Sequence, residues 1–150
     1  MNDIPPLTHP DDMPPVHTQA DLWRHWRALM GPLGFSERLL WVILLTAEGR
    51  VTPVVQQVED LPRLPDPGLL DPLMSVIGQV CGELGEGTAA VLLSRPGGAG
   101  ITPAGRTWAQ QLSDAAAAAD VRLWPVHLAN DDELVTLSPD DLALPRAAAG

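Results

Sequence analysis

Apolar positions along this chain change their period several times, and each change marks an element. Residues 1–17 show no periodicity and are dense in proline and aspartate, so a flexible tail is expected there. Thr18 then opens Thr-Gln-Ala-Asp, a variant capping box with Asp21 at its end. Leu22, Trp26 and Leu29 follow at helical spacing until Gly31 and Pro32 stop the first helix. Residues 39–46 (LLWVILLT) form a continuous apolar run rich in strand formers, the signature of a strand covered on both faces. Residues 51–58 (VTPVVQQV) are the returning strand of a hairpin, and Pro53 argues for an edge position.

Residues 59–68 hold three prolines and read as a connection. Asp71 and Pro72 are expected to open a second helix with a stripe of Leu73, Ile77, Val80 and Leu84, ended by Gly85 and Gly87. Residues 88–94 (TAAVLLS) predict a buried third strand, and RPGGAGI leads to Thr102-Pro103, an N-cap followed by proline. The third helix runs to about Ala119 with Trp108, Leu112, Ala115 and Ala119 on one face. Residues 121–128 predict a fourth strand, and ELVTL at 133–137 a short fifth after the turn at 129–132. Residues 138–141 suggest one helical turn, and residues 143–150 a loose tail. The expected fold is α/β or α+β: one domain over residues 18–142, with a mixed sheet of about five strands and three helices in a three-layer-like arrangement.

Composition narrows the function classes. A chain of 150 residues, 45% of them hydrophobic, can bury a core without disulfides or metal staples. The net charge of −10 repels a phosphate backbone and argues against general nucleic-acid binding. All nine basic residues are arginines, which reads as GC-rich coding more than as a demand for guanidinium chemistry. The lone Cys81 cannot form an intramolecular disulfide, and residues 1–17 carry acids and prolines where a signal peptide needs basic and apolar stretches. The longest apolar run is far too short to span a bilayer, so a soluble, cytoplasmic protein without membrane association is expected.

The search for chemistry finds no complete catalytic or metal-binding constellation. His9 and His17 lie in the tail, His25 on the first helix and His127 near a strand end. None stands at metal-ligand spacing, and each reads as structural or solvated. His127 could meet Asp131 or Asp132 across a turn as a pH-sensitive contact. Cys81 falls on an apolar helix face, where its thiol would be unreactive. Ser94 is expected to be more exposed, but Gly-x-Ser-x-Gly is absent and no histidine is marked as its base. The acidic pairs, Asp131-Asp132 among them, read as solvated surface or caps.

The glycine-rich stretch between the third strand and third helix is the best ligand candidate. Arg95, Gly97, Gly98, Gly100 and Thr102 are its expected ligand-binding residues, since free N–H groups and a helix dipole there can hold a small anion. The stretch departs from both the dinucleotide and the P-loop patterns, and a plain flexible turn is the alternative. Trp23 and Trp26 cover neighbouring directions of the first helix and, with His127, are the candidate contact residues for a protein partner or self-association.

From residue 39 to 137 the order of elements resembles the JAB/MPN superfamily, in particular its RadC-like branch. In that family the loop after the corresponding strand reads His-x-His-Pro-Ser-Gly, then Thr-Pro-Ser and an aspartate, with the histidines and aspartate on zinc and an upstream glutamate as base. Here Leu93-Ser94-Arg95-Pro96-Gly97-Gly98 stands in that place. The histidine positions fall on Leu93 and Arg95, and the aspartate falls near Thr107. Pro96 and Thr102-Pro103 are retained, with one extra loop residue. The resemblance implies the fold and a non-catalytic descendant, since these substitutes cannot complete a hydrolytic zinc site. In composition the chain is also similar to small actinobacterial proteins, which implies no activity. The expected function is a non-enzymatic interaction or regulatory module, possible as a homodimer, with no cofactor; the alternative is a small-ligand or anion-binding protein.

Overall fold

The computed structural model describes residues 15–30, 33–35 and 37–137. Three helices and five strands follow in the order α1 (Gln19–Met30), β1 (Leu39–Leu45), β2 (Val51–Val58), α2 (Pro67–Glu83), β3 (Thr88–Ser94), α3 (Pro103–Ala118), β4 (His127–Ala129) and β5 (Leu134–Thr136). The strands form one mixed sheet, ordered β2-β1-β3-β4-β5. β1 runs antiparallel to both β2 and β3, β3 and β4 are parallel, and β5 returns antiparallel to β4. This is the mixed five-stranded α+β architecture that the apolar periods predict.

Strand alternation divides the core in two. Ala89, Val91 and Leu93 of β3, with Leu40 and Val42 of β1, face α2 and α3. Ala90 and Leu92, with Ile43 and Leu45, face α1. Covering both faces explains the unbroken apolar runs of β1 and β3, because every second side chain still meets a helix. Each large side chain so buried contributes on the order of 1.5–3 kcal/mol.

Local chemistry sets the helix ends. Thr18 Oγ1 accepts from the Asp21 N–H, while Asp21 Oδ2 accepts from the N–H groups of Thr18 and His17, so the capping box closes as its spacing predicts. At α3, Thr102 Oγ1 accepts from the Gly105 N–H at 3.0 Å, and Pro103 is the first helical residue.

Several boundaries differ from expectation. α2 begins at Pro67, with Asp66 as its cap accepting from Gly68, and carries Pro72 inside. Asp66-Pro67 has the same cap-and-proline chemistry as Asp71-Pro72 and occurs first. The missing N–H of Pro72 deprives only exposed Gly68, whose carbonyl water can satisfy. The α2 residues buried deepest are Leu70, Met74, Ile77 and Cys81 rather than the stripe centred on Leu73 and Val80. On α3 they are Trp108, Ala109, Leu112 and Ala116, with Ala115 and Ala119 only partly buried.

β4 is three residues long instead of eight, because Pro125 has no N–H to give the ladder. Before it, residues 121–124 follow the start of β3 through the single bridge of Ala89 with Leu123. The expected tail also ends early: Val16 is buried, and its N–H donates to the Gly49 carbonyl at 2.8 Å. The helical turn at 138–141, the C-terminal tail and residues 1–14 lie outside the described residues.

Candidate functional site

The parallel pair β3 and β4 ends at Ser94 and Ala129, which are ladder partners, and Arg95 extends the ladder by donating to the Ala129 carbonyl at 3.0 Å. Beyond these carboxyl ends, beside the first turn of α3, lies a cavity of about 380 Å³. Ligand crevices of open sheets occur at this position. Leu61, Leu93, Trp108 and Leu128 supply apolar wall, while Arg38, Arg63, Arg95, Ser94 and Asn130 supply polar groups. Arg38 arrives because β1 is antiparallel to β3, so the start of one strand meets the end of the other at Leu39 and Ser94. Arg63 is placed by its own carbonyl, which accepts from Trp108 Nε1 at 3.0 Å.

The glycine-rich loop forms one lip of the cavity and is clasped from two sides. From within, Arg95 Nη1 donates to the Pro96 carbonyl, and Nη2 donates to the carbonyls of Gly98 and Gly100, each at 2.9 Å. From the β4–β5 turn come three carboxylates. Gly97 N–H donates to Asp131 Oδ2 at 2.8 Å, Ala99 to Asp132 Oδ2 at 2.9 Å and Gly100 to Glu133 Oε2 at 2.8 Å. Asp131 Oδ1 also accepts from the Phe35 N–H, and the bonds from Gly97 and Phe35 hold the Asp131 carboxyl below its usual value, with Arg95 adding attraction. The turn itself is held by Asn130 Oδ1, which accepts from the N–H groups of both Asp132 and Glu133 at 2.9 Å. The acidic run lies at the exposed surface, as its sequence suggests, and also serves as a structural clasp on the loop.

Of the expected ligand-binding set, Arg95, Gly100 and Thr102 line the cavity, while Gly97 and Gly98 do not. The N–H groups of Gly97 and Gly100 already hold carboxylates of this same chain, the Arg95 guanidinium is bound to loop carbonyls, and the Thr102 hydroxyl caps α3. An added anion would find these donors occupied. Sequence reasoning missed Arg38, Arg63 and Asn130; only the Asn-Asp-Asp turn signal pointed to any of them.

Trp23, Trp26 and His127 come together between α1 and the sheet, where Trp26 and His127 are out of solvent and only Trp23 keeps part of its ring at the surface. Trp26 and His127 are fully buried with ring centroids 6.5 Å apart, and half-buried Trp23 donates from Nε1 to the Leu134 carbonyl at 2.8 Å. Helix α1 turns its aromatic face inward because Ile43, Leu45 and Leu92 need covering there. Trp26 Nε1 is buried without a hydrogen-bond partner among the described residues. His127 meets neither aspartate: Nδ1 lies 3.1 Å from the Pro125 carbonyl and Nε2 3.0 Å from Thr136 Oγ1. Since a carbonyl only accepts, Nδ1 carries the hydrogen and Nε2 accepts from the Thr136 hydroxyl. Burial pushes the His127 pKa down to about 4, so the ring is neutral near pH 7.

Ser94, expected to be more exposed, is 2% exposed, and its Oγ accepts from Trp41 Nε1 at 2.9 Å. It ends a strand whose side chains are buried on both faces. Cys81 faces the core, where burial pushes its thiol pKa up. Thr107, at the position the resemblance gives to the metal-binding aspartate, donates its hydroxyl to the Pro103 carbonyl. Among the described residues, no group of three or more His, Cys, Asp or Glu side chains is placed to hold a metal ion, and no helix is long and apolar enough to cross a membrane. Comparison with protein-family models, curated proteins and solved structures finds no match.

Proposed function

We propose that this chain is a non-catalytic binding module that holds a small anionic molecule in the cavity at the carboxyl ends of β3 and β4. One observation carries the reading: on a chain of net charge −10, the exposed Arg38 and Arg63 line one cavity with Arg95, and neither has a carboxylate partner among the described residues. Cations left without a carboxylate on an acidic protein mark a place for an external anion. The anion site thus moves off the glycine-rich loop, whose donors are used internally, and into the cavity behind it.

The absence of catalysis in this reading rests on how the nucleophile candidates are engaged. Ser94 has an indole N–H on its oxygen, the Cys81 thiol is buried, and both His127 nitrogens are bonded within the core. Descent from a JAB/MPN-like ancestor fits the same location, because Leu93 and Arg95, which stand at the family's histidine positions, line this cavity. A single buried thiol suits a cytoplasmic setting.

The test is a panel of small anions titrated against the full chain, followed by amide NMR. Saturable shifts confined to residues around Ser94, Arg95 and Asn130, abolished in an Arg38→Ala/Arg63→Ala double variant that keeps its melting temperature, are expected. No saturable shift with any anion would remove the reading.

A second reading is self-association or a protein partner along β2. That strand is at the sheet edge and contains no charged residue over its eight positions, whereas exposed edges are usually blunted by charge. Sedimentation equilibrium should show a dimer that a Val55→Lys substitution dissociates; a monomer at every concentration would count against it.

A further inference from the structure

Building on the anion-cavity reading, we infer that the cavity selects a small organic carboxylate with an apolar body, in preference to a phosphate. Two nearly buried polar side chains in its wall point to a ligand independently of the arginines. Asn130 is 3% exposed; its Oδ1 is used by the turn, but its amide NH2 has no acceptor among the described residues. Ser94 accepts the Trp41 indole N–H, so its own hydroxyl hydrogen is directed elsewhere and likewise has no acceptor among the described residues. Both donors face the cavity, where an acceptor brought by a ligand pairs them.

The surrounding charge favours a singly charged carboxylate. Phosphoryl groups are held by backbone N–H cradles at glycine-rich loops and helix starts. Here Gly97, Ala99 and Gly100 give their N–H groups to carboxylates, Gly105 gives its to Thr102, and Pro103 has none. Besides the Ala104 N–H in the first turn of α3, what remains is guanidinium and amide groups on side chains; a guanidinium fork binds carboxylate and phosphate alike with two parallel bonds, so charge and the apolar wall make the choice. Asp131, Asp132 and Glu133 stand behind the same loop, so a doubly charged phosphate meets more repulsion than a singly charged carboxylate.

The opposite wall of Leu61, Leu93, Trp108 and Leu128 offers no polar partner and asks for hydrocarbon. A cavity of about 380 Å³ holds roughly a dozen non-hydrogen atoms, taking about 30 Å³ for each as for a water molecule. Phenylacetate has this size and character.

The experiment is calorimetric and NMR titration of the full chain with phenylacetate, phenyl phosphate, inorganic phosphate and 2-phenylethanol. Phenylacetate is expected to bind saturably, with phenyl phosphate and 2-phenylethanol at least tenfold weaker. Asn130→Asp keeps the Oδ1 that holds the turn but replaces the amide donor by a charge; it should weaken phenylacetate at least tenfold with the melting temperature retained. Phenyl phosphate binding as tightly as phenylacetate would overturn the carboxylate preference and leave an anion site standing. Equal binding of 2-phenylethanol would overturn the anion reading itself, as would the failure of all four compounds. Phenylacetate binding indifferent to both Asn130→Asp and Arg38→Ala would place the ligand elsewhere and overturn the inference.

Discussion

The backbone N–H of Gly97 donates to Asp131 Oδ2 at 2.8 Å, and the Asp131 N–H donates back to the Gly97 carbonyl at 3.0 Å. This reciprocal pair ties the loop after β3 to the turn after β4. The two segments are 34 residues apart in the chain. The glycine-rich loop is consequently a fixed wall of the cavity.

Asp131 should make part of the stability depend on acid. Its carboxyl titrates below the ordinary 3.8 in the folded protein, so its contribution is fully present above pH 3.8 and is lost as pH falls through the lower folded value. Urea unfolding of Asp131→Asn should show reduced stability at neutral pH, converging on the parent protein in strong acid. Parallel curves at all pH values would contradict the assignment.

His127 acts at milder pH. Its folded pKa of about 4 lies below the ordinary 6.5, so the unfolded chain takes up the proton first and stability falls between those values as pH is lowered. The full shift corresponds to about 3 kcal/mol. Buried His25, whose pKa burial also lowers, adds in the same direction. His127→Asn retains a donor toward Pro125 without a titrating ring and should remove most of the fall, as read from urea midpoints between pH 7 and pH 4.

Arg95 should govern order in the loop. Arg95→Lys replaces a fork that reaches the carbonyls of Pro96, Gly98 and Gly100 by one ammonium that cannot span them. Amide exchange at Gly97, Ala99 and Gly100 should accelerate severalfold in the variant, while exchange in β1 stays unchanged. Unaltered loop protection would show that the carboxylates alone hold it.

Two glycines should respond with opposite signs. Gly49 has φ +86°, and a Cβ there would collide with the Val16 carbonyl oxygen, so Gly49→Ala should cost more than about 2 kcal/mol. Gly82 in α2 has open space around it, and Gly82→Ala should stabilise by about 0.5–1 kcal/mol through helix propensity. Both follow from equilibrium unfolding.

What the sequence determined by itself is what neighbours within one turn or one strand decide. The bounds of β2 and β3, the caps at Thr18 and Thr102 and the two-sided burial of β1 all follow from periods and from short side chains reaching the next few N–H groups. Where two equivalent local signals compete, as Asp66-Pro67 and Asp71-Pro72 do, the pattern alone does not choose. The tertiary structure decided the rest. It sets Arg38 and Arg63 beside Arg95, turns Ser94, Trp26 and His127 inward, and spends the loop's N–H groups on Asp131, Asp132 and Glu133. Those relations depend on which strand ends the sheet register brings together, and register is set by pairing across long stretches of chain that no local pattern records.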